Sequence, residues 1–217
     1  MREPVIIGTG STGNATLLDG ILIDCGMPSR AILHYIKQIK IVLLTHSHCD
    51  HFKASTIWRI YSTRPSVRYV CGEHMVHMLH EVGIPLTLID IVSPGNIYDY
   101  GEFEIEPVEL VHNVTNFGYK IKFSDGERAI YATDTNSLDG IEAKNYNWYF
   151  IEANHGEAEI RERIKMKALD NQYAYEYDAA RNHLSREKAD AWIYRMAGAN
   201  SLIYYMHEHR DHIKATS

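Results

Sequence analysis

Ile41 to Thr45 is a continuous apolar run of strand length, and it ends on His46-Ser47-His48-Cys49-Asp50-His51. A run that short and that apolar reads as a strand buried within a layered structure. The loop at its end can turn His46, His48, Asp50 and His51 toward one point, which a regular helix or strand could not do. Imidazole and carboxylate are the ligands suited to zinc and related divalent ions.

The rest of the chain supplies the layers. Val5 to Gly8, Ala15 to Leu18 and Ile21 to Asp24 read as short strands, the last two joined by an Asp19-Gly20 hairpin turn. Helical spacing over Ala31 to Ile39 precedes the central strand. Helices at Lys53 to Tyr61 and Glu73 to Val82 then alternate with strands at Val67 to Cys71 and Leu86 to Val92, which is α/β patterning. From Gly101 the pattern becomes an antiparallel meander, Phe103 to Val111, Phe117 to Phe123 and Arg128 to Thr133. A short helix at Leu138 to Lys144, a buried strand at Trp148 to Glu152, a charged helical stretch at Glu157 to Ala180, a helix capped by Ser185 and a last strand at Ser201 to Met206 complete it. No repeat or linker divides residues 1–217, so one domain with a helical insertion at about 156–182 is expected.

Composition narrows the function. With 45% hydrophobic and 23% charged residues the chain falls outside the disordered class. No apolar run approaches the roughly 20 residues needed to span a bilayer, and Cys25, Cys49 and Cys71 show no paired spacing, so a cytoplasmic protein without disulfides is expected. A formal charge of -6 offers no long-range field for nucleic acid, although bound cations would make the site itself positive. Thirteen histidines stand well above the ordinary share.

Other strand ends carry the same chemistry. His112 follows the strand ending at Val111, Asp134 the one ending at Thr133, and His207 the one ending at Met206. In an α/β sandwich such ends converge on one edge. Together with Asp24 in Ile21-Leu22-Ile23-Asp24-Cys25-Gly26, these ordered motifs resemble the metallo-β-lactamase fold superfamily over essentially the whole chain. The resemblance implies an α/β fold, a four-layer αββα sandwich. It also implies two divalent metal ions, Zn²⁺ or Mn²⁺, with His46, His48 and His112 on one, Asp50, His51 and His207 on the other, and Asp134 shared. A hydroxide held between the ions would be the nucleophile.

Gly10-Ser11-Thr12-Gly13-Asn14, Ile151-Glu152-Ala153-Asn154-His155 and Asn182-His183-Leu184-Ser185 resemble the small bacterial exonuclease (WalJ-like) and ribonuclease Z-type branch. That implies a phosphodiesterase or nuclease, acting on nucleic acid or a nucleotide, with Asp50, His183 and Glu152 catalytic. A phosphodiester leaving group needs a proton, and a histidine held by a carboxylate can supply it near neutral pH: His183 is the candidate acid and Glu152 its orienter. Ser11 and Asn14 either donate to a phosphate or form a turn, and Arg210 is a further phosphate candidate. It lies in Glu208-His209-Arg210-Asp211-His212, where the branch instead has Leu-Ser before its Arg. His155 and His183 compete with His207 for the last metal position.

Two other functions use the same residues: a thioester or lactone hydrolase, and a protein that binds a phosphate-containing ligand without turnover. His74, His77 and His80, and the run Arg161 to Lys167, read as exposed helix faces, and Cys49 as a bystander. Tyr173, Tyr175 and Tyr177 with Arg181 suit either base stacking or packing of an insertion or a homodimer contact.

Overall fold

The computed structural model describes residues 2–169, 173 and 176–208; Tyr175 and Arg210 lie outside them. The first sheet holds six strands in chain order: β1 (Val5–Gly8), β2 (Ala15–Leu18), β3 (Ile21–Ile23), β4 (Ile41–Leu43), β5 (Arg68–Cys71) and β6 (Ile89–Ile91). The second also holds six, here taken in chain order: β7 (Tyr98–Asp99), β8 (Phe103–Leu110), β9 (Asn116–Phe123), β10 (Arg128–Ala132), β11 (Trp148–Glu152) and β12 (Leu202–Met206). Helices α1 (Ser29–Leu33), α2 (Ala54–Thr63) and α3 (Glu73–Val82) cover the outer face of the first sheet through Ile32, Ile57, Ile60, Met75 and Leu79. Helix α6 (Arg186–Met196) covers the second through Ala189, Trp192, Ile193 and Met196. Two more helices, α4 (Glu157–Leu169) and α5 (Glu176–Asn182), precede it. These are the four layers αββα.

Local chemistry explains the layers. β4 is apolar throughout and buried at every residue, because it lies between parallel neighbours β3 and β5 with a core on each face. β8 alternates instead: Phe103 and Ile105 face the inter-sheet core, while Glu104 and Glu106 lie opposite Lys122 and Lys120 of β9, each pair 3.1 Å apart. At the first hairpin Asp19 and Gly20 both have positive φ, 49° and 88°, the conformation a two-residue primed turn requires.

Three expectations from sequence need correction. The helix over Ala31 to Ile39 ends at Leu33, after which Tyr35, Ile36 and Gln38 donate to carbonyls three residues back, in tight turns rather than a helix. Leu138 to Lys144 is irregular; Leu138 and Ile141 do have helical spacing, but they are apolar anchors of a loop that turns at Gly140, φ 79°. The strand over Leu86 to Val92 is a 3-10 turn (Leu86–Leu88) followed by β6. The stretch from Glu157 to Ala180 is helical as expected, as α4 and α5, and the short β7 had no apolar signal to reveal it.

Parallel pairing of β3 with β4, and of β10 with β11 and β11 with β12, sends their C-terminal ends to the same edge. β8 joins them, since β9 runs antiparallel to both β8 and β10. At that edge the sheets are tied together: Tyr119 Oη donates to the Leu44 carbonyl at 2.6 Å, and Phe117 N–H to that of Thr45 at 3.1 Å. Phe150 is fully buried between the sheets, stacked on Tyr204 with ring centroids 5.1 Å apart. Replacement Phe150→Ala should lower stability by about 3–5 kcal/mol, measured as a shifted urea midpoint in circular dichroism with the slope unchanged.

Candidate metal centre

Each ligand-type side chain stands where a strand stops. Asp24 follows β3, His46 to His51 follow β4, His112 follows β8, Asp134 follows β10, Glu152 ends β11 and His207 follows β12. Three of these residues, Asp24, Asp134 and His207, have left-handed backbones with φ of 63°, 56° and 56°. That conformation is unfavourable for a non-glycine residue, and it turns the chain sharply out of the strand. The fold supplies the compensation. Asn116 Nδ2 donates to the carbonyls of Thr133 and Asp134 at 2.9 and 2.7 Å, and Asn154 Nδ2 donates to that of His207 at 2.9 Å.

The side chains gather into two groups of opposite electrostatic character. His46, His48 and His112 form the first: His48 Nδ1 lies 3.1 Å from His46 Nε2 and 3.3 Å from His112 Nε2. Nδ1 of His112 faces the Asn182 carbonyl at 3.3 Å, which leaves Nε2 for the cluster. Burial, and then the neighbouring His51, push His46 down to about 2, and burial lowers His112 as well. These two imidazoles are neutral and offer lone pairs.

Asp50, His51, Asp134 and His207 form the second group. Here carboxylates dominate. Burial would lower His207, but Asp134, with Asp50 and Glu152, outweighs it and raises the group to about 10. His51 is raised by Asp134 and Asp24 against its burial, and Asp134 is held well below the usual carboxylate range by His51 and His207 despite its own burial. His51 is the centre: its Nδ1 lies 2.7 Å from Asp24 Oδ2 and its Nε2 2.9 Å from Asp134 Oδ2.

Two atoms in this group argue for a cation. Asp134 Oδ2 and His207 Nε2 are buried without a hydrogen-bond partner among the described residues; the approach of His51 to Asp134 lacks hydrogen-bond geometry. Orphaned buried polar atoms are rare and costly, and carboxylate and imidazole lone pairs aimed at one point are the donor set of a divalent ion. The residues therefore fit a metal.

A third group, Asp134, Glu152, His183 and His207, adjoins the second. Glu152 is fully buried, its Oε2 accepting from the backbone N–H groups of Thr135 and Leu184 at 2.7 and 3.3 Å. Its Oε1 lies 2.6 Å from His183 Nδ1 and 3.1 Å from His207 Nδ1. Of the three competing histidines, His207 alone joins Asp50, His51 and Asp134, while His155 belongs to none of the groups.

The residues match a known family over most of the chain: the family described as "Beta-lactamase superfamily domain" covers residues 20–171. The chain belongs to it. Exodeoxyribonuclease YycJ of Bacillus anthracis is a relative within reach of sequence comparison, 24% identical over 166 residues, which are 69% of this chain and 62% of that protein. Ribonuclease Z of Bacillus cereus (strain B4264) is 26% identical over 126 residues, 50% of this chain and 41% of that protein. The chain thus spans 41% to 62% of the length of these curated relatives. Among solved structures, the metallo-beta-lactamase fold protein YhfI from Bacillus subtilis superposes with a TM-score of 0.74 at 16% identity, covering 99% of this chain and 89% of that one. Human tRNase Z, short form, does so with a TM-score of 0.69 at 14% identity, covering 97% and 93%. These two likenesses show the fold of the chain.

Several residues that shape this centre escaped the sequence reading. Thr45 Oγ1 lies 3.0 Å from both Asp24 carboxylate oxygens and from His46 Nδ1, so it joins the strand to the cluster. Asn14, for which the sequence allowed either a phosphate donor or a turn, is fully buried in the turn: its Oδ1 accepts from Gly10 N–H at 2.8 Å, and its Nδ2 lies 2.7 Å from His51 Nε2. Ser11 is exposed in the same turn, two residues after Thr9, whose Oγ1 accepts from His207 N–H at 2.7 Å. Gly26 packs so tightly on the metal loop that a Cβ there would sit 1.7 Å from the Asp50 carbonyl oxygen. Only its place directly after Asp24-Cys25 hinted at this. The remaining expectations fall on the surface: His77 is exposed and 3.2 Å from Glu81, and Tyr173 is exposed with its Oη donating to Asp178 at 2.8 Å.

Two outcomes follow for the purified protein. Asp134→Ala should lose stoichiometric metal by elemental analysis while keeping its far-ultraviolet spectrum, since the replaced group faces the site. Gly26→Ala should lower both metal content and melting temperature, because the added methyl must displace the backbone that carries Asp50 and His51.

Proposed function

We propose that the chain is a metal-dependent phosphodiesterase or nuclease with two divalent ions, zinc or manganese. Residues 1–217 would form one domain, with α4 and α5 as a helical insertion. His46, His48 and His112 would hold one ion, and Asp50, His51 and His207 the other, with Asp134 between them. When bound, the ions would acidify a water and neutralise charge on the attacked group.

The observation that carries the choice of reaction is the Glu152–His183 pair, 2.6 Å apart beside Asp134. Glu152 is pinned by two backbone N–H groups, so it fixes the ring of His183 and keeps the proton of that ring on Nδ1. Protonated on Nε2 as well, His183 can donate to the oxygen that leaves phosphorus. Acyl transfer from a thioester has no such need, because a thiolate departs readily. Asp50 is more open than its cluster mates, with Oδ2 3.7 Å from His51 Nε2 and 3.6 Å from His207 Nε2, a position suited to orienting the attacking water. The names of the two sequence relatives, an exodeoxyribonuclease and a ribonuclease, agree with a phosphodiester substrate.

Assays with Zn²⁺ or Mn²⁺ on bis(p-nitrophenyl) phosphate, oligonucleotides and cyclic nucleotides, beside thioesters and lactones, test this reading. A phosphodiester should be cleaved, and His183→Ala should lower kcat by roughly 10²–10⁴-fold. Cleavage of a thioester or lactone that is indifferent to His183→Ala would reverse the assignment. Stoichiometric metal with no turnover of any substrate would instead mark a protein that only binds a phosphate-containing ligand.

A further inference from the structure

Beside the candidate centre runs a groove of about 430 Å³ between the loop after β10 and helix α6. Its lining includes Asn136, Asp139, Leu184, Lys188, Trp192 and Arg195. Its lining adjoins the candidate centre along the chain: Asn136 is two residues beyond Asp134, and Leu184 directly follows His183. The wall is held in place there, since Asn136 Nδ2 donates to the Arg181 carbonyl at 2.8 Å and His112 Nδ1 faces that of Asn182.

The charges of α6 are distributed unevenly. Arg186 is committed to Asp190, to Glu208 and to the face of Tyr205, with its guanidinium carbon 3.5 Å from the ring centroid. Lys188 and Arg195 are exposed, line the groove and form no ion pair with any described residue. A chain with a net charge of -6 has acids to spare, yet Asp139 is the one carboxylate among the lining residues. Lys188 and Arg195 are seven positions apart, which at a rise of 1.5 Å per residue is about 10 Å between their Cα atoms along the helix. That separation gives each cation room for a phosphate of its own. Trp192 is buried, with its indole N–H donating to the Ile141 carbonyl at 3.2 Å, so the groove lacks an open aromatic face for stacking a base.

We infer that this groove holds the backbone of a single-stranded nucleic acid, with Lys188 and Arg195 on separate phosphates beyond the one being cleaved. The inference rests on the phosphodiesterase reading and deepens it: the substrate is a polymer, gripped by backbone charge without base readout. Both side chains are exposed on a helix whose other face is packed, so replacing them leaves the fold intact.

The test compares Lys188→Ala, Arg195→Ala and the double variant with wild type, on short DNA and RNA single strands and on bis(p-nitrophenyl) phosphate, across a salt series. Each single variant should raise KM for strands several-fold and flatten the slope of log(kcat/KM) against log[salt] by about 0.7, the value for one phosphate contact on a single strand. Turnover of the small diester should stay within about two-fold, as expected of surface changes away from the reacting groups. An unchanged slope, or an equal loss on the small diester, would overturn the inference. If the small diester is cleaved and strands are neither cleaved nor bound, the groove assignment falls and the phosphodiesterase reading stands. If no diester is cleaved, that reading falls, and fluorescence anisotropy of labelled strands on the same variants decides the groove by itself.

Discussion

His51 lies between two buried carboxylates that come from different sheets. Asp24 ends β3 of the first sheet and reaches Nδ1 at 2.7 Å; Asp134 follows β10 of the second and approaches Nε2 at 2.9 Å. All three are almost wholly removed from solvent. Burying two carboxylates is expensive unless each finds a compensating positive or donating group, so the edges of the two sheets cannot separate without exposing an uncompensated charge inside the protein. The Tyr119–Leu44 and Phe117–Thr45 hydrogen bonds close the same seam with neutral groups. The centre and the sandwich are in this sense one structure: the apolar core between the sheets brings the strand ends together, and the paired charges fix how they meet.

From that constraint follows the division of labour around the site. The neutral imidazoles of His46 and His112 stand on one side, and the carboxylate-rich group that contains Asp134 on the other. Glu152 extends the pattern by one more strand, because a single carboxylate oxygen faces both His183 and His207. A group that holds a candidate metal ligand and a candidate proton donor together sets their relative position without any flexible element. The left-handed backbones at Asp24, Asp134 and His207 are the local cost of this design, of the order of 1–3 kcal/mol each. Asn116 and Asn154 offset it through bonds to the carbonyls at two of those turns.

How much of this was legible beforehand depended on the range of the interaction. Strand segments such as Trp148 to Glu152 and the helix Glu73 to Val82 were readable to the residue, because burial on both faces and a 3.6-residue stripe leave local signatures. The helix expected at Leu138 to Lys144 failed for the same reason in reverse: Leu138 and Ile141 mimic helical spacing, but each is anchored separately against α6 and the second sheet. The short α1 shows the limit of periodicity too, since turns of three residues satisfy the same apolar positions as a helix would.

By itself the sequence determined the layered α/β class, the run of histidines and acids at strand ends, and their order along the chain, since these rest on local hydrophobic period and on residue chemistry. Only the tertiary structure decided which of those residues meet. It brought His207 to Asp50, His51 and Asp134 and left His155 outside; it buried Asn14 against His51; it placed Gly26 where no side chain fits; and it set Lys188 and Arg195 of α6, which form no ion pair with any described residue, along one groove. Contacts of that kind join residues as far apart as Thr9 and His207. They follow from the register of parallel strands and the packing of one sheet on another, which no local stretch of sequence encodes.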